Sequence, residues 1–262
     1  GAPDLLLREN ATTAFWRALG AELGRPRAFL VASAHFESAD VLVERGAAPR
    51  TIHDFGGFAP ELYAQRYPAP GDPALAEEIA QRLRDAGIAA QTVERGFDHG
   101  VWIPLALLRA AADVPVIALS VQPRLDAAHH YAVGRAIAPL LEQGCVLLGS
   151  GGATHALGEL EARDAPRAPW AAEFQRWLRD VLGRGELASA LSWERSAPHA
   201  RRNHQTPEHL LPLFVAWGAA GPQARARMIH EAWEFGVLSL ATFAFERVSA
   251  PQSLSETNSY RL

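Results

Sequence analysis

The chain has no lysine, a single cysteine (Cys145) and a single methionine (Met228). One cysteine forms no internal bridge and excludes four-cysteine metal sites, which suits a reducing, cytoplasmic setting. No apolar run reaches the roughly 20 residues that cross a bilayer, and no basic-then-apolar opening resembles a signal peptide. With 25 Lys+Arg against 29 Asp+Glu and a net charge of -4, the surface offers no broad positive field to nucleic acid. Linkers rich in Pro, Gly or Ser, internal repeats, a GxSxG elbow and a P-loop are also missing. What is plentiful is imidazole. Ten histidines occur in 262 residues, 48% of which are hydrophobic, enough for one sizeable core.

Periodicity predicts a single α/β domain over residues 1–262 with an antiparallel element near the end, and the family resemblance given below implies a central, mixed, mostly parallel sheet flanked by helices. Asn10 is a helix cap ahead of Phe15, Trp16 and Leu19, with the helix ending near Gly20 or Gly24. Phe29 to Ala34 reads as a strand covered on both faces, with His35 at its carboxyl end. Asp72, Pro73 and Gly87 frame a second helix with a Leu75, Ile79, Leu83 stripe. Strand Val114–Ser120, helix Asp126–Leu141 and strand Cys145–Gly149 follow. An amphipathic segment runs from Pro169 to Leu182, and a helix is expected to open at Thr206-Pro207. Arg225–Glu234 and Gly236–Arg247 are expected to be two strands joined by a short turn.

Five segments carry candidate chemistry, each beside a plainer reading. His35 follows a buried strand, where open α/β sheets bind ligands, although a core histidine is as common there. His53-Asp54-Phe55-Gly56-Gly57-Phe58 is a pocket-approaching turn or an ordinary one. Phe97-Asp98-His99-Gly100 sets a histidine among glycines, with Trp102 close by. Gly149-Ser150-Gly151-Gly152-Ala153-Thr154-His155 is a poor dinucleotide fingerprint, because the third glycine is absent. In Thr206-Pro207-Glu208-His209, a helix start disfavours imidazolium at His209. His230-Glu231-Ala232-Trp233-Glu234 is a near miss to HExxH and lacks its second histidine. His129-His130, adjacent on a helix, are read as surface or helix-side residues.

Ser33-Ala34-His35, Thr51-Ile52-His53-Asp54-Phe55-Gly56-Gly57-Phe58, Tyr67-Pro68-Ala69-Pro70-Gly71, Phe97-Asp98-His99-Gly100, Thr154-His155 and Thr206-Pro207-Glu208-His209 run in order through nearly the whole chain. Together they resemble the 4,5-DOPA extradiol dioxygenase family, the single-chain branch of the class III, LigB-type ring-cleaving dioxygenases. The resemblance implies a non-haem Fe(II) centre, often holding Zn(II) in purified protein, that opens a catechol with O2 outside the diol to a muconate semialdehyde. It implies His35 and His209 as metal ligands, His155 as acid/base and His99 as its companion on the substrate or oxygen adduct. His53, Asp54, Phe55, Phe58, Phe97 and Trp102 are candidates for the pocket wall or for orienting these groups.

The first ligand of the family is a histidine in a Ser-His-Gly or Gly-His-Gly segment, and Gly1 stands where the residue after it belongs. The domain is therefore expected to lack its N-terminal strand and first ligand, and its metal site to be weak or empty with His35 and His209 still close together. Two other readings use the same residues: a zinc-dependent hydrolase, and a metal-poor binding protein. Oligomeric state and the identity of the catechol are left open.

Overall fold

A computed structural model describes residues 3–246, so Gly1 and Arg247, on which two of the expectations above fall, lie outside the described residues. The centre is a five-stranded sheet in the order β3-β2-β4-β1-β5, formed by β1 (Phe29–Glu37), β2 (Val41–Glu44), β3 (Ala90–Val93), β4 (Val116–Val121) and β5 (Val146–Ser150). β1 runs parallel to both neighbours, with Leu30 opposite Ile117 and Leu147. β2 is antiparallel to β4 and parallel to β3, which makes the sheet mixed.

The continuous apolar run of β1 reflects burial on both faces. Leu30 and Ala32 point to one side, among Leu75, Ile79, Leu83, Ile117, Leu119, Val133 and Ile137. Phe29 and Val31 point to the other, among Val101, Trp102, Leu105, Val116 and Ala118. Each leucine, isoleucine, valine or phenylalanine among them contributes about 1.5–3 kcal/mol by leaving water. The first layer is supplied by α2 (Pro73–Asp85) and α4 (Ala127–Ile137), the second by α1 (Ala11–Leu23) and α3 (His99–Leu108). Asn10 caps α1 through a reciprocal exchange with Thr13, and Asp72 caps α2 at Leu75. A third cluster joins α5 (Pro169–Arg184) and α6 (Leu211–Ala220) to the C-terminal strands through Phe174, Leu178, Phe214 and Trp217.

Several boundaries differ from expectation. The helix after Asp126 stops at Ile137, because Pro139 has no N–H to continue it and instead opens a separate turn at Pro139–Glu142. The helix predicted at Thr206 begins at Leu211, which leaves Thr206 to Leu210 as a turn. The C-terminal pair is interrupted: β6 (Arg225–His230) pairs with β9 (Thr242–Glu246), and a small hairpin of β7 (Trp233–Glu234) and β8 (Leu238–Ser239) lies between them. Phe235 and Gly236, both at positive φ, form the tip of that hairpin. His130 is fully buried, not at the surface. Its Nε2 accepts from the Gln122 amide and its Nδ1–H donates to the Asp126 carbonyl.

Candidate active site

Four segments meet at the carboxyl end of the sheet, where strand pairing lapses. Pairing of β1 with β5 ends at Ser33–Ser150, and the register between β1 and β4 shifts between Ala32 and Glu37. His35 sits in that gap, inside β1 and not beyond it. Its neighbours form a row of imidazoles. Ring centroids of His35 and His99 are 3.9 Å apart, those of His35 and His209 4.9 Å, and His155 stacks on His209 at 3.3 Å.

Glycines permit this convergence. A Cβ on Gly151 would lie 2.1 Å from the His209 carbonyl oxygen, and one on Gly149 2.4 Å from that of Pro212. The Gly152 amide donates to the His209 carbonyl at 2.9 Å. The glycine-rich segment after β5 is thus a close backbone approach to the His209 turn. At Gly100 the space a Cβ would take is held by side chains, with Ser33 Oγ 2.5 Å and His35 Cδ2 3.2 Å from it.

His99 opens α3, a helix that the sequence reading missed because it is apolar on every side and contains Pro104. Pro104 cannot donate to the Gly100 carbonyl four residues back. The Ser150 hydroxyl donates to that carbonyl instead, tying the end of β5 to the histidine helix. His155 is fixed by its surroundings: its amide donates to the Asn203 carbonyl, while Thr154 bonds Val237 and Ser239 of the small hairpin. His209 lies in the Thr206–Leu210 turn just before α6.

Asp54 grips His99 twice, taking its amide on Oδ1 at 2.8 Å and its Nδ1–H on Oδ2 at 2.9 Å. The same Oδ2 is 4.0 Å from His35 Nδ1. Burial opposes the Asp54 charge, but the His99 ring and amide outweigh it and hold the carboxyl at about 2. Burial, with the nearby His99, pushes His35 down to about 4. His155 also falls to about 4 through burial, opposed by the Glu208 carboxylate. His209 is driven further down by burial and by His155 and His35. These imidazoles are neutral near pH 7, the form that binds a metal ion.

Two groups bring possible ligand atoms within 4.8 Å of one another: His35 with Asp54 and His99, and His155 with Glu208 and His209. Imidazoles beside carboxylates are a suitable donor set for a divalent first-row metal. Glu208 was not singled out in the sequence, although it stands next to His209 in the quoted motif.

The flanking candidates divide into two sets. Phe55 lies 5.6 Å from His99 and 5.5 Å from Phe58, and both phenylalanines are partly exposed. Phe97 and Trp102 have no exposed surface, so they back the wall as core and do not face a pocket. His53 stands behind Phe55, with Nε2–H donating to the Gln65 carbonyl at 3.1 Å and the ring against Phe55, Trp102 and Tyr63. His129 and His230 lie outside the row, bonded to Gln122 and Thr12.

Comparison with known proteins gives the family. Residues 8–246 match the family model described as the catalytic LigB subunit of aromatic ring-opening dioxygenase. The chain is 41% identical to a 4,5-DOPA dioxygenase extradiol of Portulaca grandiflora, over 86% of this chain and 84% of that protein. It is 35% identical to a protein of the same name from Escherichia coli K12, over 92% and 90%. The crystal structure of the uncharacterized protein JW3007 from E. coli K12 superposes with a TM-score of 0.75 at 31% identity, covering 90% of this chain and 93% of that one. No helix among the described residues is long and apolar enough to cross a membrane. Ring opening therefore takes precedence over the hydrolase and the non-catalytic readings, and the chain belongs to the LigB family of aromatic ring-opening dioxygenases.

Proposed function

We propose that this enzyme opens a catechol outside its diol with O2, giving a muconate semialdehyde, and that His35 and His209 hold the ferrous ion it requires. The observation that carries the reading is the row of four imidazoles at the open end of the sheet. The names of the relatives support the extradiol position of cleavage. Bound Fe(II) would supply the electron relay between ring and dioxygen.

The remaining steps belong to side chains. A catechol must lose a hydroxyl proton, and His155, stacked on His209 and neutral at pH 7, would accept it and later return it to the product. His99 has its Nδ1–H committed to Asp54, which leaves Nε2 for a hydrogen bond with a substrate hydroxyl. Phe55 and Phe58 offer partly exposed rings for a flat aromatic substrate.

The test is to load the protein anaerobically with Fe(II), add simple catechols and air, and follow oxygen uptake with the yellow semialdehyde. Uptake matched by product supports the proposal, and no uptake across several catechols defeats it. Metal analysis of variants separates the roles. His35→Ala and His209→Ala are expected to lose metal, whereas His155→Ala retains metal and loses turnover. Equal metal loss in all three contradicts the assignment.

A further inference from the structure

Asp98 is a fully buried carboxylate that no step above uses. It occupies the cap position of α3, yet its side chain makes no bond to that helix's own amides. An aspartate at a helix cap ordinarily accepts from the second or third amide. Here Oδ1 accepts from the Ser33 hydroxyl at 2.7 Å, and Oδ2 from Arg95 Nη1 at 2.8 Å. The other Arg95 terminal nitrogen, Nη2, donates to the His35 carbonyl at 3.0 Å, and the Ser33 hydroxyl takes the His35 amide at 3.2 Å. Both backbone groups of His35 are thus held by one circuit, at the stretch where β1 has left its ladder. The guanidinium also covers the Phe36 ring at 4.4 Å. Asp98 directly precedes His99, so the same carboxylate fixes the start of the second histidine's helix.

We propose that the Ser33–Asp98–Arg95 circuit is a positioning device that sets His35 and His99 relative to each other. An ion pair with a buried carboxylate is weak evidence for net stability, so the double grip on His35 is the part of this circuit that asks for a geometric role. Only arginine's planar fork reaches the carboxylate and the carbonyl together. The inference rests on the proposed role of His35 as a ligand only for its effect on metal. Its effect on the rings does not depend on metal.

The experiment compares wild type with Arg95→Lys, Asp98→Asn and Ser33→Ala in the full chain. Nitrogen-15 histidine-ring spectra of metal-free protein are the first readout. Arg95→Lys keeps a cation beside Asp98 but loses the grip on the carbonyl, so the His35 and His99 signals are expected to move while those of His130 stay. Co(II) titration followed by visible absorbance is the second readout, with affinity expected to drop by about 10–100-fold at little change in melting temperature. Should Asp98→Asn fail to fold, the lysine and alanine variants carry the test. Unmoved ring signals and wild-type affinity in Arg95→Lys overturn the circuit. A wild type that binds no Co(II) overturns the metal assignment instead, and the ring spectra still decide the circuit.

Discussion

At the scale of the residue, the division of labour among ten histidines follows from what each ring touches. His130 and His53 use ring nitrogens on backbone groups, which makes them fasteners. His35, His99, His155 and His209 instead face one another. Asp54 turns one of these rings into an oriented group. Asp54→Asn preserves shape but replaces a charged acceptor with an amide that can also present N–H to the ring. It is expected to reduce turnover by roughly 10–100-fold with metal content nearly unchanged, measured as kcat beside metal analysis. The histidine motifs were legible in the sequence because chemistry concentrated them in short, unusual strings. Asp98 and Arg95 were not, because a charged residue becomes informative only when its burial and partners are known.

At the scale of the element, the site depends on backbones that approach without side chains between them. Gly151→Ala would drive a Cβ against the His209 carbonyl, 2.1 Å away, so either the turn or the β5 exit must shift. The expected cost is on the order of 1–3 kcal/mol, seen as a melting temperature lower by several degrees, together with weaker metal binding. Gly56 meets nothing within 4 Å. Gly56→Ala is therefore expected to leave melting temperature and metal affinity near wild type, a contrast that isolates the approach from glycine content in general. Strands β1, β4 and β5 were readable from apolar runs, and α2 from its Asp72-Pro73 cap. Helix α3 was not, since burial on all sides erases amphipathic period. The C-terminal hairpin was read as two long strands because alternation persists through the interruption at Glu231-Ala232.

At the scale of the whole molecule, burial of imidazole links folding to pH. His130 and His204 are held down to about 4 from 6.5, chiefly by burial. An unfolded chain takes up these protons near pH 6.5, whereas the folded one resists until about 4. Stability is therefore complete above pH 6.5 and falls as pH drops toward 4, by on the order of 3 kcal/mol for each buried histidine. Urea melts at pH 7 and pH 5 check this: the midpoint is expected to fall at pH 5, and His130→Gln is expected to narrow the difference.

The central claim is extradiol ring opening, and its most direct measurement is the fate of labelled dioxygen. Fe(II)-loaded protein given a catechol under oxygen-18 gas should yield a product with one carboxylate and one aldehyde. Both groups should carry label when the aldehyde is trapped before it exchanges with water. A dicarboxylate product, or a product without label from dioxygen, would contradict the account.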